Sequence, residues 1–288
     1  MGDDIKMSMR LFTGGFRGSQ PCTGGSFEHF GGDTTSLLVL GSGGERLVLD
    51  AGTGMRAVAD RLAELGRGEV TVLFSHYHLD HMAGLTMNPL FYNKGWAFTF
   101  IGPNFDSGGV RDAVTQLLGP PYWPISLDQM GAGFQFVPFT TEEINVGSLR
   151  VRACRMPHPG GCMSYRINDA NCGASLVYAT DIEWGQRTAD HEKVFMAMCS
   201  EPSPADVLSV DAHFARADEK AFAGWGHTSW EDCLEIAQAA GIKRVLLGHH
   251  NPRAEDESLH DLAKQVKKRM AGAGLARAGQ WLTIGAEE

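Results

Sequence analysis

The stretch Ser75-His76-Tyr77-His78-Leu79-Asp80-His81 places three imidazoles and a carboxylate within six positions. It directly follows residues 70–74, whose apolar and β-branched side chains are typical of a buried strand. Side chains at the end of a strand can converge above the edge of a sheet, and imidazole and carboxylate groups bind divalent metals. A solvated, histidine-rich turn is the alternative, but this spacing directly after a buried strand rarely arises by chance. We therefore interpret the stretch as a metal-binding loop, in which His76 and His78 share one ion and Asp80 and His81 turn toward a second.

The composition describes an ordinary globular protein. Of the 288 residues, 43% are hydrophobic and 20% are charged, and an α/β chain of this length often forms one domain. We therefore expect residues 1–288 to form a single domain. No apolar run approaches the roughly 20 residues of a membrane helix, and acidic residues stand where a secretory signal would be basic. The expected location is the cytoplasm, with no membrane partner.

The charge balance and the cysteines exclude several classes of protein. Six cysteines occur without a CxxC pair, which argues against a zinc ribbon and against a disulfide framework. The chain has 25 basic and 34 acidic residues, whereas a protein that binds a long nucleic acid needs clustered Lys and Arg. A small anion can still bind if metal ions supply positive charge locally. Whether the chain forms a homodimer stays open at this point.

Several predicted strands end in a His or an Asp. Two apolar runs that flank the glycine-rich residues 41–44 predict a β-hairpin, and residues 10–34 are glycine-rich with loops at 16–21 and 30–35. Further strands are predicted at 97–101, 134–139, 149–154, 163–167, 175–179, 206–210 and 244–247, with helices at 55–65, 110–118 and 255–270. The polar residues at or just after these strand ends are Asp50, His158, Asp181, Asp211 and His249. Many strand ends therefore lead to one site.

Two features of the sequence each have more than one interpretation. Asp50 could bind a metal, but we favour a role in which it hydrogen-bonds the following glycine turn or orients a ligand histidine. The aromatic residues in the segment Pro120-Pro121-Tyr122-Trp123-Pro124 could form a lid over a substrate or pack rigidly on the core.

The strand-end residues complete a site for two divalent cations. We assign His76, His78 and His158 to one ion and Asp80, His81 and His249 to the other. Asp181 is the predicted bridge, because a carboxylate has two oxygens and can contact two cations. Two such ions lower the pKa of a shared water, which predicts a metal-bound hydroxide as the nucleophile. Nitrogen and oxygen ligands suit zinc, with manganese or iron as alternatives.

This ligand set resembles that of the metallo-β-lactamase superfamily, and the resemblance extends from about residue 34 to residue 252. It implies an α/β fold, a four-layer αβ/βα sandwich with a dinuclear site at one edge. True β-lactamases usually have Cys where Asp181 stands, and the oxygen-reducing diiron branch has Glu where His78 stands. These departures favour the hydrolytic, phosphodiesterase-like branch.

Two further segments resemble tRNA 3′-processing endonucleases and related cyclic-phosphate phosphodiesterases. Residues 224–231 are similar to the H-S-T segment of these enzymes. Residues 206–214 are similar to the segment that supplies a carboxylate partner to the histidine of that H-S-T segment. The resemblance implies that His227 is the general acid and Asp211 its partner, which together with Asp80 form the catalytic set. Thr228 and Glu231 predict a capping box that opens a helix behind His227, although a structural histidine is the alternative. The relatives' pattern also favours His249 over His250 as the ligand and makes Arg253 a candidate phosphate contact.

The predicted function is metal-dependent hydrolysis of a small or cyclic phosphodiester. A tRNA 3′-processing endonuclease is the nearest alternative, and the acidic charge balance argues against it. Hydrolysis of a thioester, a lactone or a β-lactam uses the same metals on a carbonyl and needs no acid at His227. A scaffold without activity is the least favoured alternative, because all the expected ligands are present.

Overall fold

Fourteen strands form two sheets of seven strands each in the part of the chain that the computed structural model describes, residues 8–140 and 143–285. The strands are Met9–Gly15 (β1), Ser36–Leu40 (β2), Arg46–Leu49 (β3), Glu69–Leu73 (β4), Ala97–Pro103 (β5), Gly133–Phe139 (β6), Glu143–Val146 (β7), Leu149–Met156 (β8), Cys162–Asp169 (β9), Ser175–Ala179 (β10), Val207–Asp211 (β11), Arg244–Gly248 (β12), Ala273–Leu275 (β13) and Trp281–Ile284 (β14). The α-helices are Met55–Glu64 (α1), Val110–Leu117 (α2), Ala189–Ser200 (α3), Glu219–Phe222 (α4), Trp230–Ala240 (α5) and Asp256–Arg269 (α6). None of these helices has the length and apolarity needed to cross a membrane.

The strand directions bring the site residues to one edge. The first sheet has the order β14-β1-β2-β3-β4-β5-β6, and the second has the order β13-β12-β11-β10-β9-β8-β7. Strands β3 to β6 are parallel to one another, as are β10 to β13. Strand β8 runs in the same direction as β10, because each of them is antiparallel to β9. Residues that follow β3, β4, β8, β10, β11 and β12 therefore emerge at carboxyl ends of strands, where α/β sheets typically hold their sites.

In the described part of the chain, the buried side chains form three hydrophobic clusters, one between the two sheets and one between each sheet and the helices that cover it. The faces of the two sheets pack against each other through residues such as Leu49 and Leu73 on one side and Tyr165 and Leu176 on the other. Helices α1 and α2 cover the outer face of the first sheet. Helices α3, α5 and α6 cover the outer face of the second. Alternating apolar positions bury both faces of each sheet, and the arrangement confirms the predicted four-layer αβ/βα sandwich.

The predicted hairpin is confirmed as β2 and β3, but the sequence pattern does not predict β1. This strand contains Gly14 and Gly15, which favour a turn when the sequence is considered alone. In the structure, a Cβ atom on Gly14 would lie 2.5 Å from the carbonyl oxygen of Gly54 and 2.7 Å from that of Ser36. Gly14 therefore serves close backbone approach inside a strand rather than a turn.

The predicted capping box at the start of α5 is wrong by one residue. Ser229 is the N-cap, and its hydroxyl accepts a hydrogen bond from the backbone N–H of Asp232. The Thr228 hydroxyl instead donates to the carbonyl oxygen of Ile182 and accepts from the backbone N–H of Trp184. Thr228 therefore joins the start of α5 to the segment after β10, which holds the loop of His227 against the second sheet.

Candidate metal centre

The strand ends bring all seven predicted ligands together in two neighbouring clusters. The ligand atoms within each cluster lie within 4.8 Å of one another. The first cluster comprises His76, His78 and His158, and the second comprises Asp80, His81, Asp181 and His249. The sequence separation is wide, from position 76 to position 249, so only the fold explains the convergence.

Three strand-end residues have left-handed backbone conformations. Asp50, Asp181 and His249 have φ angles of 54°, 51° and 51°, at the ends of β3, β10 and β12. This conformation costs a non-glycine residue roughly 1–3 kcal/mol and persists only where the surroundings enforce it. The strained backbone conformations therefore occur at residues whose side chains point toward the clusters. Such strain is typical of functional positions.

Hydrogen bonds fix the imidazoles of the first cluster. Nδ1 of His158 lies 2.9 Å from the carbonyl oxygen of Gly226, so this nitrogen carries the proton and Nε2 has a free lone pair. That Nε2 atom lies 3.0 Å from Nδ1 of His78. Nδ1 of His76 lies 3.0 Å from the Ser75 hydroxyl, which donates its own proton to Asp50 over 2.7 Å. The Ser75 oxygen therefore accepts from His76, and the lone pair of His76 is on Nε2.

The second cluster is built around carboxylates. Nε2 of His81 lies 3.2 Å from Oδ2 of Asp80 and 3.0 Å from Oδ2 of Asp181. Nδ1 of His249 lies 3.1 Å from the same Asp181 oxygen. The other oxygen of Asp181, Oδ1, lies 3.9 Å from Nε2 of His158 in the first cluster. Each oxygen of Asp181 thus faces one cluster, which is the geometry that a bridging carboxylate requires.

The donor set fits divalent metal ions. Nε2 of His76 is buried and has no hydrogen-bond partner among the described residues, whereas Nε2 of His81 and Nδ1 of His249 face the carboxylate of Asp181. Burial lowers the pKa values of His76 and His249 well below their usual value, so both are neutral and can offer lone pairs. Burial raises the pKa of Asp181, but His249 and His81 outweigh this effect and hold it well below its usual value. Neutral imidazoles beside ionised carboxylates are ligands for zinc and similar cations.

Asp50 connects the two clusters from behind. Its Oδ2 atom lies 2.8 Å from Nδ1 of His81 and accepts hydrogen bonds from the hydroxyls of Ser75 and Tyr178 over 2.7 and 2.5 Å. Its Oδ1 atom accepts from the backbone N–H of Ser75 over 2.7 Å. Asp50 is completely buried and belongs to neither cluster. Of the two roles considered from the sequence, the geometry therefore favours the orientation of ligand histidines.

His227 and Asp211 form a buried pair beside the clusters. Nδ1 of His227 lies 2.8 Å from Oδ2 of Asp211 and 3.8 Å from Oδ1 of Asp181. Burial lowers the pKa of His227, but the carboxylate of Asp211 outweighs burial and raises it to about 9. Burial raises the pKa of Asp211 to about 7. At neutral pH the shared proton therefore resides on the imidazole, which is the charge state of a general acid.

The sequence pattern does not indicate how close His213 lies to this pair. Its ring stacks on that of His227 with centroids 4.3 Å apart, and its Nδ1–H donates to the carbonyl oxygen of His249 over 3.0 Å. His213 follows the end of β11 by two residues, and this position was the signal available in the sequence. Burial lowers its pKa to about 4, so the ring stacked on His227 is neutral.

The side chains of His249 and His250 point in different directions. His249 points into the second cluster, whereas Nε2 of His250 lies 2.8 Å from the carbonyl oxygen of Ala276. Arg253 is exposed, and its side chain lines neither of the two cavities beside the clusters.

Within residues 8–140 and 143–285, two cavities large enough to hold part of a substrate adjoin the clusters. The larger, of about 680 Å³, is lined by His76 and His78 and extends over α2. The smaller, of about 290 Å³, is lined by His78, Asp80, His158, Asp181 and His227, with Ser19, Gly224 and Trp225 at its rim. In the proline-rich loop, Tyr122 lines the larger cavity and Trp123 packs on the core.

Comparisons with known proteins agree with this site. The family model of the beta-lactamase superfamily domain matches residues 45–250. A ribonuclease Z of Clostridium acetobutylicum is 24% identical over 285 aligned residues, which cover 84% of this chain and 91% of that protein. The metallo-beta-lactamase fold protein YhfI of Bacillus subtilis superposes with a TM-score of 0.68 at 21% identity, covering 96% of this chain and 99% of its own. A diphosphatase of the PhnP family superposes with a TM-score of 0.68 at 18% identity, covering 96% and 97% of the two chains.

The match to the family model covers most of the chain, including the segments from which both ligand clusters come. The relatives also agree with the branch that the H-S-T resemblance indicates. The chain therefore belongs to the beta-lactamase superfamily, as a metal-dependent hydrolase with the metallo-β-lactamase fold.

Proposed function

We propose that this hydrolase is a phosphodiesterase that acts on a small or cyclic phosphodiester with two divalent metal ions, zinc being the first choice. The observation that carries the proposal is the His227–Asp211 pair, whose imidazole lies 3.8 Å from the carboxylate between the two clusters. Hydrolysis of an alkyl phosphodiester must protonate a poor leaving oxygen, whereas a thioester has a leaving group that needs no acid. The names of the relatives, a ribonuclease Z and a diphosphatase, point to the same chemistry.

The ligands divide between the two ions as the clusters do. His76, His78 and His158 would hold one ion, Asp80, His81 and His249 would hold the other, and Asp181 would contact both. Bound there, the ions would supply a water of lowered pKa and positive charge for the phosphoryl oxygens. The backbone N–H of Ser19 donates to Asp80 over 2.9 Å, which fixes this carboxylate at the entrance of the smaller cavity.

Side chains of the protein protonate the leaving oxygen. His227 lines the smaller cavity, so a leaving group in that cavity can receive its proton. Asp211 holds the imidazole by Nδ1, which leaves the Nε2–H free to donate. His213 stacks on the ring as a neutral partner and limits its rotation. The bond that breaks is the one between phosphorus and this leaving oxygen, and the proton of His227 goes to the alkoxide.

A small substrate is favoured over a transfer RNA by charge. The net charge is −9, and residues 85–147 contain two basic residues, Lys94 and Arg111. Binding of a long phosphate backbone relies on clustered basic residues that displace counterions. The relatives named ribonuclease Z make a tRNA 3′-processing endonuclease the second candidate. Binding of tRNA that weakens steeply with salt would favour that candidate over the small substrate.

The test compares leaving groups in the metal-loaded enzyme. We expect His227→Ala to lower turnover of an alkyl diester, such as a cyclic nucleotide, by roughly 10²–10⁴-fold. The same variant should hydrolyse methyl p-nitrophenyl phosphate almost as well as the wild type, because p-nitrophenolate leaves without protonation. His260→Ala is the matched control, since His260 is exposed and lines neither cavity. Equal losses for both leaving groups, or no loss for the alkyl diester at full metal content, would overturn the assignment.

A further inference from the structure

The two cavities share His78 of the first cluster as a lining residue. The smaller cavity contains His227, and the larger contains no residue of the His227–Asp211 pair. An acyclic phosphodiester has two separate ester branches, and the branch that leaves must lie near the acid. The other branch stays on phosphorus and must take a different direction. The larger cavity is the space that the fold provides for it.

The walls of the larger cavity are mainly apolar. Met82 and Phe105 line it, and Ala113 and Leu117 of α2 complete the side opposite the metal ligands. Leu79 and Tyr122 line it as well, although 66% and 65% of their surfaces are exposed to solvent. Large apolar side chains that stay exposed around a concave site are typical of ligand-binding surfaces.

The charge in this cavity is unfavourable for a second anion. Among its lining residues, none is Lys or Arg, and Asp112 contributes a carboxylate at the start of α2. The guanidinium of Arg155 stacks on the Phe105 ring at 5.1 Å from its centroid, beside the cavity rather than among its lining residues. A nucleotide with further phosphates or a continuing polynucleotide chain would place negative charge near Asp112. A neutral group would not.

We propose that the larger cavity binds a neutral aromatic group attached to phosphorus through the ester oxygen that is not cleaved. The proposal rests on the phosphodiesterase function and defines its substrate class as an aromatic diester whose departing alcohol enters the smaller cavity. Aromatic rings suit a site of this kind, because the side chains of Tyr77, Phe105 and Tyr122 line it. The Tyr77 ring is held in place, since its hydroxyl donates to the carbonyl oxygen of Pro103 over 2.6 Å.

The size of the cavity agrees with this occupant. A volume of about 680 Å³ lies within the range of small-molecule sites, roughly 300–1,000 Å³. It accepts one aromatic ring with its substituents, such as a substituted phenyl group or a nucleobase with its sugar. The smaller cavity, of about 290 Å³, restricts the leaving group more strongly. The structure therefore predicts that the bulkier group of the substrate is the retained branch.

The substrate test uses diesters with the same leaving group, p-nitrophenol, and different retained groups. We expect kcat/KM for phenyl p-nitrophenyl phosphate to exceed that for methyl p-nitrophenyl phosphate by roughly tenfold or more, relative to the uncatalysed rates. Thymidine 5′-p-nitrophenyl phosphate tests a nucleobase as the ring, and preference for either aromatic diester over the methyl diester supports the proposal. A wild-type enzyme that treats all three diesters equally would refute it.

Two variants locate the preference in this cavity. Ala113→Trp fills the space above α2, and Tyr122→Ala removes an exposed wall without changing the core. Both should reduce the preference for the aromatic diesters over the methyl diester by roughly tenfold. Ala239→Trp, at an exposed position on α5, is the matched control and should keep the wild-type preference. An unchanged preference in both cavity variants would show that the ring binds elsewhere.

A binding experiment separates this proposal from the phosphodiesterase assignment. Calorimetry of the metal-loaded protein should show tighter binding of phenylphosphonate than of methylphosphonate, and Tyr122→Ala should remove the difference. A 4-carboxyphenyl phosphonate should bind more weakly than phenylphosphonate, and Asp112→Asn should recover part of that loss. If no diester is hydrolysed but these differences appear, the phosphodiesterase function fails while the cavity assignment stands. If diesters are hydrolysed and the two phosphonates bind equally, the cavity assignment fails alone.

Discussion

Oδ2 of Asp50 lies 2.8 Å from Nδ1 of His81, and the same oxygen accepts the Ser75 hydroxyl that fixes His76. One buried carboxylate therefore sets the orientation of an imidazole in each cluster. Carboxylates that hold ligand histidines from behind contribute roughly 10–100-fold to metal affinity. Asp50 would therefore act as a positioning residue for both of the proposed ions, although it would contact neither.

Replacement of Asp50 tests this role. We expect Asp50→Asn to weaken binding of both metal ions by roughly 10–100-fold, because the amide keeps the size of the side chain but loses its charge and one acceptor. Metal titration with a competing chelator measures the two affinities. Asp60→Asn, at an exposed position on α1, is the control. Weaker binding of one ion alone would contradict a shared role.

The pair of His227 and Asp211 predicts the pH dependence of catalysis. Burial lowers the pKa of His227, but Asp211 outweighs it and raises the value to about 9, so the acid form is lost as pH rises through this value. Asp211→Asn removes the charge and should move the alkaline limb of kcat/KM for an alkyl diester down by roughly 1–3 pH units. The limb for p-nitrophenyl diesters should not move, because their leaving group needs no proton. An unchanged limb for the alkyl diester would contradict the role of Asp211.

The sequence predicts that the candidate metal ligands converge, because their signal is chemical and local. A His or an Asp at or just after the end of an apolar strand is visible without the fold, and this signal indicates His158, Asp181 and His249. The parallel strands then bring these ends together, as strand geometry requires. The choice of His249 over His250 came from a resemblance, and the structure supports it through the contact of His250 with Ala276.

Other features of the site depend on the path of the loops and carry no signature in the sequence. The backbone N–H of Ser19 donates to Asp80, and a main-chain donor looks the same at every position. His213 stacks on His227 because the segment after β11 pairs with the residues that lead into α5, through the hydrogen bond from the backbone N–H of His213 to the carbonyl oxygen of Thr228. The larger cavity combines residues near 77–82, 105–122 and 159–161, and no single segment indicates it.

The two ligand clusters predict separable metal sites. We expect the wild-type protein to bind about two divalent ions per chain, because Asp181 presents one oxygen to each cluster. His76→Ala and His249→Ala should each reduce the content to about one ion, from opposite clusters. Elemental analysis after dialysis measures the stoichiometry, with His260→Ala as the control. One ion in the wild type, or loss of both ions in each variant, would contradict two separable sites.

We expect Asp169 on β9 to stabilise the fold independently of bound metal ions. Its carboxylate accepts hydrogen bonds from the backbone N–H and the hydroxyl of Ser42 over 2.7 and 2.8 Å, and Ser42 lies in the turn between β2 and β3. These bonds join one sheet to the other. Asp169→Ala should lower the free energy of unfolding by roughly 2–4 kcal/mol, since the charge-assisted hydrogen bonds from Ser42 and from the backbone N–H of Asn171 are lost. Asp60→Ala should change it little.

The pH dependence of this contribution distinguishes the carboxylate from simple packing. Burial raises the pKa of Asp169, but the hydrogen bonds from Ser42 and Asn171 outweigh burial and hold it below its usual value. The contribution is therefore complete at neutral pH and is lost as the pH falls through the folded-state pKa. Urea unfolding with a chelator present should show a large difference between wild type and Asp169→Ala at neutral pH and a smaller one near pH 3. A difference that stays constant with pH would assign the loss to packing instead, because only the ionised carboxylate gains from these donors.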